Sequence, residues 1–195
     1  MKRFSLRTAG IALALTALSF GQVKAETYYI DVVHSSIDFS IRHLVSRSKG
    51  KFNEYEGSVT YDKANPAATK IEATIKVESI DTGNERRDGH LKDADFFDAA
   101  KYPTITFKSK KAVEKDGKLH VTGDFTMHGV TKEITLPVEV LGVGMHPMAK
   151  APVAGYSSDI TLKRSDFGVD SWTDAAGVLG DEVHVNILIE AVAKK

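Results

Sequence analysis

The chain has 195 residues, with 26 lysines and arginines balancing 26 aspartates and glutamates, and it has no cysteine. That length suits one domain with a sizeable core, and the missing cysteine excludes disulfides, thiolate metal sites and thiol nucleophiles. Charge without a basic excess argues against nucleic acid as a partner.

In chain order, Lys2, Arg3 and Arg7 make a basic start, Ala9 to Phe20 is uncharged and apolar or small, and Val23-Lys24-Ala25 suits a signal peptidase. Residues 1–25 therefore read as a secretory signal peptide cut before Glu26, leaving a mature domain of residues 26–195. The apolar stretch is shorter than the roughly 20 residues of a spanning helix, and no cysteine follows it to carry a lipid. No later run is long enough to span, so no stable membrane insertion is expected. The leader removes Lys2, Arg3, Arg7 and Lys24 and no acid, so 26 bases become 22 against 26 acids, a net charge of −4.

Beyond the leader, apolar and polar residues alternate with period two, the pattern of strands with one buried face. Ile37, Phe39 and Ile41 alternate with Asp38, Ser40 and Arg42. Tyr55, Gly57, Val59 and Tyr61 follow, and then, past a loop at Asn65-Pro66, Ile71, Ala73, Ile75 and Val77. Residues 84–100 break the alternation and are dense in charge, which predicts a short helical segment, weakened by Gly89 and pinned to the sheet by Leu91, Phe96 and Phe97. Alternation returns at Ile105 and Phe107, at Val121 to Met127 and at Ile134 to Val140. Asp116-Gly117 and His128-Gly129 are hairpin signals between these runs, so residues 104–141 read as a three-stranded meander. Gly142 to Gly155, with Pro147 and Pro152, reads as a long loop. Ile160 and Leu162 precede a second long connection, Arg164 to Gly180, and Val183 to Ile189 forms the last strand.

About eight such strands bury their apolar faces in a sandwich or in a closed barrel, and short sequential hairpins favour the barrel. A barrel of this size either fills with side chains or holds one small ligand, and spacing leaves both open. Gly57, Ala73 and Gly123 on the inward parity suggest spare room.

The chemistry-bearing residues give little else. His34, His43, His90, His120, His128, His146 and His184 are scattered without metal-ligand spacing. Asp93, Asp95 and Asp98 resemble the start of a calcium loop, but Asp98 and Thr104 stand where it needs glycine and glutamate. There is no nucleophile elbow, and Gly142-Val143-Gly144 lacks the third glycine of a dinucleotide loop. These absences point to a binding protein rather than an enzyme, with no catalytic residue, metal or cofactor expected.

Along nearly its whole mature length the chain resembles the YceI-like family of bacterial periplasmic proteins. The resemblance rests on Tyr29-Ile30-Asp31 with His34-Ser35, on Ile37-Asp38-Phe39 and Ile41-Arg42-His43-Leu44, and on Gly50-Lys51-Phe52, Gly57 and Asn65-Pro66-Ala67. It continues in Glu85 to Leu91, Asp95-Phe96-Phe97, Tyr102-Pro103, Gly123 to Thr126, Gly129 to Lys132 and Gly180 to Val183. It implies an all-β fold, a lipocalin-like antiparallel up-and-down β-barrel. It also implies a periplasmic location and an apolar ligand, a polyisoprenoid or a quinone- or lipid-type chain, carried for transport, storage or stress protection. An enzyme or chaperone acting on such a precursor, or a filled-barrel interaction protein, is the alternative; a homodimer is left open. On this reading Phe39, Ile41, Tyr55, Val59, Ile75, Phe107, Phe125, Leu136, Ile160 and Leu162 line the interior. His43, Phe96, Phe97 and Trp172 stand at the mouth, where the ligand's polar end is expected. Four predicted strands separate the connections 79–103 and 164–180, so an up-and-down barrel places both at one end.

Overall fold

The structure is a computed structural model and describes residues 25–173 and 177–194; the expected signal peptide lies outside the described residues save Ala25. In chain order the strands are β1 (Glu26–Ile30), β2 (Ser36–His43), β3 (Ser46–Phe52), β4 (Tyr55–Tyr61), β5 (Lys70–Lys76) and β6 (Ile80–Asp81). The helix α1 (Glu85–Lys92) follows, and then β7 (Thr104–Lys115), β8 (Lys118–Met127), β9 (Val130–His146), β10 (Ala151–Lys163) and β11 (Leu179–Ala193).

The six short strands are three long ones, each interrupted once. β11 pairs with both β1 and β2, β1 and β2 pair in turn with β4 and β3, and those pair with β5 and β6. The first break is capped by its own sequence: the Asp31 carboxylate accepts a hydrogen bond from the Val33 amide at 3.0 Å and starts a single 3-10 turn, Val32–His34. Counted this way, eight antiparallel strands each lie beside their neighbours in the chain, and β11 closes the ring on β1. The expected up-and-down barrel is the observed fold, and closure pairs each of the eight strands on both sides over part of its length.

The connections therefore alternate between two ends. One end, called the mouth here, carries the Leu44-Val45 turn, α1 with the chain up to Pro103, the His128-Gly129 turn and the connection from Arg164. The two expected hairpin turns take the geometry that their residues favour, with φ of 53° and 75° at Asp116 and Gly117 and 52° and 74° at His128 and Gly129. Asn84 caps α1 by accepting from the Arg87 amide at 3.0 Å.

Two expectations need correction, and two strands had no signal in the alternation. β1 and β3 carry no conspicuous apolar alternation, yet both are strands: on β3 the Phe39 ring of β2 covers Gly50, where a Cβ would lie 2.4 Å from Phe39 Cζ. The supposed long loop Gly142 to Gly155 is mostly strand, with only Pro147 to Lys150 between β9 and β10. Pro152 is tolerated because it precedes the first pair of β10 with β11, Val153 and Val192. Gly57 and Gly123 do not make room inside either. A Cβ on Gly123 would meet the Lys108 carbonyl oxygen at 2.4 Å, beside the register shift at Ser109, and one on Gly57 would meet the Glu72 carbonyl oxygen at 2.5 Å.

These contacts are backbone, which cannot swing aside. Gly123→Ala is expected to cost about 1–3 kcal/mol, read as a lower urea midpoint, whereas Gly89→Ala, which meets nothing within 4 Å, should stabilise α1 slightly.

Candidate functional site

Inward side chains fill one half of the barrel and leave the other hollow. Away from the mouth, Tyr28, Leu119, Val121, Ala154 and Ala191 are packed solid, with Val121 and Ala191 0% exposed. Towards the mouth a cavity of about 400 Å³ opens, within the range of small-molecule sites. Its floor is formed by Val59, Ile71, Val138, Tyr156 and Ile189. The filled and hollow readings thus each describe half of the barrel.

Of the residues expected inside, Phe39, Ile41, Val59, Ile75, Phe107, Phe125, Leu136, Ile160 and Leu162 are on the cavity wall. Tyr55 is not. It is buried in the core cluster opposite Ile75, and burial, with Asp38 and Asp31 nearby, raises its phenol pKa. His43, Phe96, Phe97 and Trp172 are all on the wall at the mouth, and the connections carrying the aromatics lie at one end, as strand parity predicts.

The cap is an aromatic cluster. His90 lies 4.9 Å from Phe96 and 5.4 Å from Trp172, and Phe96 lies 5.9 Å from Trp172. Phe97 meets Phe52 at 6.3 Å, and Phe52 meets Phe39 at 5.6 Å, which carries the cluster down onto the wall. Phe96, Phe97 and Leu91 therefore pin α1 and its tail across the open end of the barrel rather than onto a sheet face. His90 Nε2 lies 2.8 Å from the Asp95 carboxylate, which fixes its ring.

The mouth side of the wall carries the polar groups His43, Ser48, Thr82, Arg87 and Arg164, while Tyr156 and Ser158 lie deeper. Arg87 is held by Thr82, its Nε donating to Oγ1 at 2.7 Å and its Nη2 to the carbonyl at 2.8 Å. Arg164 is 5% exposed. Its Nε donates to the Gly180 carbonyl at 2.9 Å, and Nη1 donates to the carbonyls of Val169 at 2.7 Å and Ser171 at 2.8 Å. Burial lowers its pKa, opposed by the charges of Asp181 and Asp170. The wall's acid, Glu72, reaches Lys108 at 3.1 Å with its side chain 62% exposed.

Sequence reasoning did not single out Arg164, Arg87, Tyr156 or Ser158. Three of them were within reach, because positions 156, 158 and 164 continue the parity of Ile160 and Leu162. Among the described residues, the trio with metal-compatible spacing is Asp31, His34 and Glu190, outside the cavity at the first strand break. Asp31 there already caps the turn and binds His34 Nδ1 at 2.8 Å, a bond that lowers the Asp31 pKa and raises that of His34.

Fold and cavity together define a lipocalin-like binding barrel, closed round its solid half and hollow beneath a capped mouth. The chain belongs to the YceI-like domain family, which matches residues 28–191. It is similar to Protein YceI of Escherichia coli O157:H7, 40% identical over 190 residues that cover 95% of this chain and 97% of that one. Among solved structures it is similar to BcnA of Burkholderia cenocepacia, with a TM-score of 0.76 and 27% identity over 83% of this chain and 99% of that one. The fold is shared with a polyisoprenoid binding domain from Saccharophagus degradans, with a TM-score of 0.65 and 19% identity over 88% of this chain and all of that one. No helix among the described residues is long and apolar enough to cross a membrane.

Proposed function

We propose that the protein is a periplasmic carrier that holds a long apolar chain, of polyisoprenoid or lipid type, in the hollow half of its barrel. The carrying observation is the apolar cavity of about 400 Å³ below a mouth closed by α1 and Trp172. Affinity would come from desolvation, at roughly 0.8 kcal/mol per buried methylene. Support for the ligand class comes from the polyisoprenoid binding domain that shares the fold, and for export from the leader pattern of residues 1–25. Among the described residues the wall hydroxyl that meets a carboxylate is that of Thr82, which donates to Asp88 and accepts from Arg87. It is taken up in holding Arg87, so the chemistry of the wall suits holding a ligand better than transforming one.

Trp172 is the single tryptophan and is 53% exposed on the cavity cap, so it reports on the mouth without a label. Adding geranylgeraniol to delipidated protein should shift its emission to the blue, and native mass spectrometry of protein from the periplasmic fraction should show a co-purified apolar mass. Phe125→Asp places a carboxylate on the wall and should abolish the shift while circular dichroism stays that of a barrel. A folded Phe125→Asp variant that binds normally would remove the cavity from the mechanism.

A further inference from the structure

Tyr156 and Ser158 are successive inward positions of β10, both on the cavity wall and only 4% and 5% exposed. Among the described residues, neither the Tyr156 hydroxyl nor the Ser158 hydroxyl has a hydrogen-bond partner. A buried hydroxyl left unpaired is destabilising, because it loses its water without gaining a partner. Phenylalanine and alanine would preserve the shape at these two positions without that cost. Both residues line the inner end of the cavity, next to its floor. The ladder between β9 and β10 ends at the pair Val138 and Ser158, so Ser158 sits where the two strands part.

The surroundings narrow the chemistry of what would satisfy them. Tyr156 adjoins Tyr28 and Tyr61, and the neighbouring wall is Val59, Val138, Ile160 and Ile189. The basic groups of the wall are on the mouth side, and Glu72 is drawn outward to Lys108. An ion at this depth would find no counter-charge, whereas a neutral oxygen would find two hydroxyls able to donate or accept.

We propose that the cavity takes a chain whose leading, buried end carries an uncharged oxygen function, a hydroxyl or a carbonyl, held between Tyr156 and Ser158. This rests on the apolar-ligand reading and adds a polar contact at the inner end, whatever sits at the mouth. The hydroxyls act as a depth and orientation gauge: a chain with its oxygen elsewhere leaves them unpaired.

The test compares dodecane with 1-dodecanol, each titrated against Trp172 fluorescence, in the wild-type protein and in Tyr156→Phe/Ser158→Ala. The preference for the alcohol over the alkane should fall about tenfold in the double variant, with part of the fall in each of Tyr156→Phe and Ser158→Ala. The double variant should melt no lower than the wild type, since it loses two unpaired groups. If both probes bind and their ratio is the same in the two proteins, the hydroxyls serve a buried water only and the inference is wrong. Should neither probe bind the wild-type protein, the apolar-ligand reading itself fails and takes this inference with it.

Discussion

Arg164→Ala should lower the unfolding free energy by about 3 kcal/mol and loosen the cap over the cavity. Its guanidinium supplies hydrogen bonds to three main-chain carbonyls, those of Gly180, Val169 and Ser171. Bonds from a charged donor contribute roughly 1.5–3 kcal/mol each, and a buried acceptor left without its donor keeps its desolvation cost. Against this, the variant no longer buries a cation, so the net falls well short of the sum. The same three bonds tie the connection that carries Trp172 to the start of β11. Acrylamide quenching of Trp172 should therefore rise in the variant, beyond what the unfolded fraction explains. Arg164→Lys should restore little, because one ammonium on a flexible stem cannot reproduce a planar fork with separated donors. An Arg164→Ala protein with the wild-type denaturation midpoint and unchanged quenching would show that this side chain is not the tie.

Particular residues show why the barrel was legible in sequence and the cavity less so. Where inward side chains are large, as with Ile37, Phe39 and Ile41 or Ile134, Leu136 and Val138, period-two alternation is plain, and the Asp116-Gly117 and His128-Gly129 turns set the order. β3 escaped because its inward positions include Ser48 and Gly50, and the space at Gly50 is taken by Phe39 from the next strand. Composition hides such a strand because its partner supplies the bulk. Parity alone placed Phe96, Phe97 and Trp172 at one end, since an even number of strands separates their connections. What parity could not give is how far the core extends. Leu119 and Leu162 both point inward, yet one is packed and the other borders open space; barrel taper and neighbouring side chains decide that. The buried Arg164 was read as the start of a loop, because its partners are carbonyls that only the folded connection assembles.

That division yields the most discriminating expectation. Leu119→Ala, in the solid half at 3% exposure, should cost about 2–5 kcal/mol, because its close-packed neighbours collapse only partly into the void. Leu162→Ala changes a side chain that already borders the cavity, so it forfeits fewer contacts and should cost less than about 2 kcal/mol. Ligand binding should reverse the order. Leu162→Ala removes apolar wall and should weaken geranylgeraniol binding severalfold, as read by Trp172 emission. Leu119→Ala should bind with wild-type affinity, measured at a temperature where it is fully folded, because the floor at Val138 and Tyr156 stands between it and the cavity. Urea denaturation and titration on the same two proteins give the four numbers. A crossed pattern is required: stability lost mainly at 119 and affinity mainly at 162. If Leu119→Ala weakens binding as much as Leu162→Ala does, the ligand reaches past Tyr156 and the solid half is not solid in the bound protein.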